Sequence, residues 1–115
     1  ALRTPDGGDA SPHGTWSGTM MAHAFVDPYW RAKMAREVEA GGLAREEVEG
    51  LCLRCHAPAA YHEDVHHARE PRSFAELRET ADARDGVTCT VCHRIADEGL
   101  REPHTFDGRP PHDTK

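Results

Sequence analysis

Cys52-Leu53-Arg54-Cys55-His56 and, further along, Cys89-Thr90-Val91-Cys92-His93 both read C-x-x-C-H, and between them they use every cysteine in the chain. This spacing is the attachment signature of a c-type haem. Two thiols three positions apart add to the two vinyl groups on one edge of a porphyrin, and the histidine that follows supplies the proximal iron ligand. The motifs therefore predict two covalently bound c-type haems. One is held by Cys52, Cys55 and His56, the other by Cys89, Cys92 and His93, with His56 and His93 on iron. Other readings of the cysteines are weaker. Two C-x-x-C pairs also suit a structural zinc module, but zinc does not need a histidine straight after both pairs. A thioredoxin-like redox pair expects a βαβ setting, and nothing here reads as an alternating strand. Two disulfides in a small secreted domain are the remaining alternative.

The segments around the motifs predict short helices. Leu43 to about Cys55 reads as one helix, with Ala44, Val48, Leu51, Cys52 and Cys55 forming an apolar stripe that carries both thiols. Glu46, Glu47 and Glu49 are expected on its water-facing side, near the positive end of the helix dipole. Upstream, Asp27-Pro28 is an N-cap followed by proline at the first helical position. It opens an amphipathic helix to about Ala40, with Trp30, Met34 and Val38 on the inner face and Gly41-Gly42 as its stop. A shorter helix is expected over 17–25, capped by Ser17 or Thr19. Residues 1–14, rich in Gly and Pro, read as an irregular arm ending at His13. Pro58 is expected to end the helix of the first motif, leaving 57–72 as a polar, histidine-rich connection. Ser73-Phe74-Ala75-Glu76 is a capping box that starts a third helix with Phe74, Leu77 and Ala81 on one face. Asp85-Gly86 ends that helix, with Gly86 left-handed. Val87 to His93 is a short turn or helix, and 96–115 is an extended tail that is ordered only where it docks.

The chain has 115 residues, only 37% of them hydrophobic and 6% aromatic. This is one domain over 1–115, with a thin side-chain core. Two haems, each a large flat apolar body, would replace much of the missing interior. The expected fold class is mostly α with long irregular loops, a small haem-cored c-type cytochrome domain with little or no sheet. The formal charge of −6 makes nucleic acid and anionic membrane poor partners. No apolar run approaches the roughly 18 residues of a membrane span. No signal peptide is visible, and the opening Ala1-Leu2 is compatible with a processed N-terminus. Haem of this type is attached outside the cytoplasm, so the motifs imply export to the periplasm or beyond. No Gly-rich phosphate loop or Ser-His-Asp arrangement stands out.

Three stretches together resemble a recurring block of bacterial multihaem c-type cytochromes. They are Trp16 to Ala24 with Asp27-Pro28-Tyr29-Trp30, Leu51 to Pro58, and Asp85 to Arg94. The resemblance spans roughly 12–95 and implies a mostly helical chain with closely packed haems whose work is to pass electrons. This chain has two haem motifs where relatives often have four or more, so it acts alone or as one unit of a longer haem chain.

Most chains of that superfamily place a second histidine on the far side of each iron, and nine histidines in this chain supply an excess. First choice for these distal ligands falls on His13 and His23, which flank the Trp16–Ala24 stretch. His62 and His104 are the alternates, His62 because Tyr61 is available to anchor it. His66, His67 and His112 rank lower, as do the thioethers of Met20, Met21 and Met34. Bis-His ligation closes both faces of iron, lowers the potential and disfavours substrate binding. Arg54 and Arg94 are candidate partners for the propionates. The expected function is electron transfer through two closely spaced low-spin haems, without catalysis. Expected partners are other redox proteins or further haem subunits, including copies of this chain in an oligomer or filament. The alternative is a haem enzyme or gas-sensing domain with one open iron, using His66 or His67 with Glu63 or Asp64 as a distal acid or base.

Overall fold

Seven short helices make up the regular structure of the computed structural model, which describes residues 2–103, 105 and 108–111. They are α1 (Pro12–Ser17), α2 (Pro28–Ala40), α3 (Arg45–His56), α4 (Pro58–His66), α5 (Phe74–Leu77), α6 (Ala81–Arg84) and α7 (Cys89–His93). Among the described residues the only strand-type pairing is an isolated bridge between Arg3 and Asp9. The chain is thus mostly helical with little or no sheet. No helix of the described residues is long and apolar enough to cross a membrane. His104 and His112 lie outside the described residues.

α2 forms where its punctuation predicts. The Asp27 carboxylate accepts the backbone N–H groups of Tyr29 and Trp30 at 3.0 and 3.2 Å, and Gly41 closes the helix at φ +71°. Replacing Asp27 by Ala leaves both N–H groups without that acceptor. It is expected to cost about 1 kcal/mol, read as a lower midpoint in urea at unchanged slope. An unchanged midpoint would show that water caps the helix equally well.

The helix faces pack in sequence, α2 on α3, α3 on α4, and α4 on both α6 and α7. The core they share comprises Phe25, Trp30, Met34, Val48, Leu53, Ala57, Ala60, Tyr61, Leu77 and Ala83. Such a short inventory gives an open arrangement. The Cα radius of gyration is 15.9 Å, where a compact domain of this length has about 13 Å.

Several expectations are overturned. The arm proposed for 1–14 becomes helical at Pro12, because Ser11 caps α1 by accepting the Gly14 N–H and Pro12 takes the first helical position. The helix expected over 17–25 is instead a run of turns. Gly18 ends α1, and the Thr19 hydroxyl competes for the backbone by donating to the Trp16 carbonyl at 2.7 Å. Pro58 does end α3, yet it also begins α4, so the polar connection is largely a helix. Ala57, fully buried, is the single joint between the two. The third helix is broken into α5 and α6.

The stripe on α3 also divides. Val48 is buried and Cys52 packs on the core, whereas Leu51 is 50% exposed and Cys55 is exposed. Leu53, outside the expected stripe, is the most buried side chain of the helix. Glu49 does not face water. It is 6% exposed, and its carboxylate accepts the Phe74 N–H at 2.9 Å and an Arg45 N–H at 3.3 Å, so it caps α5 from across the core. The tail closes on itself and docks on the body through Gly108. The Ala96 N–H donates to the Pro111 carbonyl, and Gly108 lies against the end of α3 so closely that a Cβ there would come 2.7 Å from Arg54 Cβ and 3.3 Å from Cys55 Sγ.

Candidate functional site

The two C-x-x-C-H segments end one helix and form another. Cys52, Cys55 and His56 occupy the last turn of α3, while Cys89, Cys92 and His93 make up most of the five-residue α7. All four cysteines are free thiols. Among the described residues no three or more His, Cys, Asp or Glu side chains are grouped to hold a metal ion, so the pairs are not gathered into one four-thiol cage.

The first site is wired into the core. His56 Nδ1 lies 2.8 Å from the Ala24 carbonyl oxygen. A carbonyl only accepts, so Nδ1 carries a proton and donates it, and in the neutral ring Nε2 keeps its lone pair. One face of the His56 ring stacks on the Trp30 indole, with centroids 4.2 Å apart and planes 11° from parallel. Behind Trp30 stand Phe25 and Phe74, at 5.8 and 5.6 Å. Trp30 Nε1 is buried without a hydrogen-bond partner. The Cys52 thiol is close enough to respond to it. Burial pushes that thiol up, and the Trp30 N–H beside it opposes the rise without cancelling it.

The second site is peripheral. Cys89, Cys92 and His93 are all exposed. Helical spacing puts these three on one side of α7. Thr90, Val91 and Arg94, on its other side, line a groove of about 620 Å³ shared with Pro58, His62 and His66 of α4.

One stretch joins the sites. The carbonyl that holds His56 belongs to Ala24, in the turns that follow α1. The same turns receive the lead-in to α7. The Val87 N–H donates to the Met21 carbonyl at 2.9 Å, and the Trp16 indole N–H donates to the Val87 carbonyl at 2.8 Å. Gly86 takes φ +58°, as its sequence context predicts, with its α-carbon pressed against the backbone of 21–24. The three stretches that carry the resemblance thus converge in space.

The candidate distal ligands are distributed as follows. His13 is exposed on α1, its ring 5.5 Å from that of Trp16, and His23 is exposed in the turns. His62 touches the Tyr61 ring edge-on at 5.4 Å, and its Nε2–H donates to the Gly108 carbonyl at 3.1 Å, which leaves Nδ1 as its ligating atom. Met34 is core, 5% exposed, whereas Met20 and Met21 are exposed. Arg54 Nε donates to the Tyr61 hydroxyl at 3.2 Å, with the guanidinium over that ring.

Of the two carboxylates named for the alternative's distal acid or base, Asp64 is committed to structure, whereas Glu63 meets His67, one of the pairings that alternative names. Asp64 is 1% exposed, and its two oxygens accept from the Arg69 and Arg72 side chains and the Arg72 backbone N–H. Glu63 accepts from His67 Nε2 at 2.9 Å. The Ala24 carbonyl and the Trp30 face are the site features sequence reasoning missed. The first is backbone and carries no residue signature. The second belongs to a residue whose apolar spacing predicts core packing, a role it also fills.

Comparison with protein-family models, with curated proteins and with solved structures returns no match.

Proposed function

We propose that this chain is an exported dihaem c-type cytochrome that carries electrons. Haem is attached through Cys52 and Cys55 with His56 on iron, and through Cys89 and Cys92 with His93 on iron. The observation that carries the reading is the state of His56. Its Nδ1–H is committed to the Ala24 carbonyl, so the ring is fixed in the tautomer that offers Nε2 to a metal, the usual arrangement of a ligating histidine.

The residues fit the group in other respects. The thiols are free and reachable. Leu51 leaves an apolar surface one turn from Cys55 for a porphyrin face. The buried, unpartnered Trp30 N–H sits beside the Cys52 sulfur, a weak acceptor. When bound, haem supplies a one-electron couple, and the protein sets its position, axial ligands and surroundings. His13 and His23 remain the distal candidates, with His62 through Nδ1 and His104 as alternates. The haem-cored domain is periplasmic or extracellular and works with other redox proteins or further haem subunits, in an oligomer or filament of copies where the exposed second motif provides the contact.

The intact mass of the exported protein tests this directly. It is expected to exceed the polypeptide by two haems, and Cys89→Ala/Cys92→Ala by one. Both oxidation states are expected to be low-spin, without carbon monoxide binding. A colourless protein of bare polypeptide mass would end the reading, and rapid carbon monoxide binding would favour the open-iron alternative.

A further inference from the structure

Two groups hold the His56 imidazole, and they do different things. The Ala24 carbonyl fixes the tautomer and one in-plane direction. It leaves the ring free to tilt about the Nδ1···O line. The Trp30 face removes that freedom, since rings 4.2 Å apart and 11° from parallel leave no room for one to tilt alone. Trp30 itself cannot yield. It is 6% exposed, hemmed by Phe25 and Phe74, and its backbone N–H is tied to Asp27 at the start of α2. His93, exposed on α7, has no ring stacked on it among the described residues.

Resting on the dihaem reading, the geometry points to Trp30 as the positioning residue of the first haem: its indole face fixes the plane of the His56 ligand, while among the described residues His93 has no such clamp. The orientation of an axial imidazole plane governs the splitting of iron d-orbitals, so the two irons are inequivalent in a way one side chain controls.

The test uses the holoprotein in three variants, followed by ferric paramagnetic resonance and by the two reduction potentials. Trp30→Leu removes the flat face. It is expected to shift and broaden the g-values of one haem and to move that haem's potential, with the other unchanged. Trp30→Phe keeps a flat ring and is expected to restore the wild-type pattern. Met34→Ala opens the same core one turn along α2 and is expected to lower stability with both signals in place. Unchanged g-values in Trp30→Leu, or an equal shift in Met34→Ala, would overturn the proposal. Should Trp30→Leu fail to fold, nuclear Overhauser contacts between Trp30 indole and His56 ring protons in the reduced, diamagnetic wild type decide. Their presence supports the clamp. Their absence in a protein carrying both haems removes the proposal alone, whereas a protein without haem mass removes the reading beneath it as well.

Discussion

Replacing Asp64 by Asn is expected to destabilise the protein by about 3 kcal/mol, more than any surface substitution should. Asp64 is 1% exposed on α4, and its Oδ2 accepts from Arg72 Nε at 2.8 Å and from the Arg72 backbone N–H at 3.1 Å. Its Oδ1 accepts from Arg69 Nη2 at 3.0 Å, and Arg72 reaches on to Asp82 of α6 at 3.1 Å. One carboxylate therefore fastens the segment after α4 to two helices. An amide of the same shape keeps one acceptor oxygen, loses the charge and turns a donor toward a guanidinium. Both arginines retain some solvent, which is why the expected loss sits at the low end of the range for broken buried pairs.

The pH dependence of that loss follows from the same contacts. Burial alone would raise the Asp64 carboxyl. The hydrogen bonds from Arg72 and Arg69 outweigh it and hold the group below its ordinary 3.8. A depressed folded-state value means the stabilisation is complete above the unfolded value and drains away as pH falls toward the folded one. The gap between wild type and Asp64→Asn should thus be full at neutral pH and narrow only below about pH 4. Urea titrations at pH 7 and at successively lower pH measure it. A gap that stays constant down to pH 2 would show that shape rather than charge sets the cost.

That buried carboxylates organise the chain was not readable from its pattern. Glu49 and Asp64 sit among charged neighbours in sequence, and hydrophobic periodicity assigns such residues to solvent. Only the fold shows that Glu49 caps α5 and Asp64 gathers two arginines. α4 was hidden for a related reason. Ala60, Tyr61 and Asp64 form its inner side, two apolar residues and a charge, while histidines and Glu63 cover the outer. By contrast α2 is legible from end to end, because Asp27-Pro28 and Gly41 mark it with backbone chemistry as well as apolar spacing. α1 begins with the same grammar, Ser11-Pro12, but surrounding glycines mask it. At the candidate site the thiols and their histidines are legible because the C-x-x-C-H spacing occurs twice and uses every cysteine. The Ala24 carbonyl is not, because any residue offers one.

Gly86 is the position where such a legible detail has the widest consequence, and Gly86→Ala is expected to disturb both candidate haem sites at once. At φ +58° a residue with a Cβ costs about 1 kcal/mol. Here the added carbon would also meet the Met21 carbonyl oxygen at 2.4 Å and the Ala24 backbone nitrogen at 3.0 Å, atoms with no rotamer to escape into. Either the turns move or the lead-in to α7 does. The first choice displaces the carbonyl that holds His56, and the second breaks the Val87 bonds to Met21 and Trp16. A total near 3 kcal/mol, or about 12 °C in Tm, is the expected cost. On the dihaem reading, the spectroscopic signatures of both haems should shift together in this variant, whereas Trp30→Leu moves one. Wild-type stability in Gly86→Ala would mean the turns do not rest on this glycine, and a shift confined to one haem would mean they do not couple the two sites.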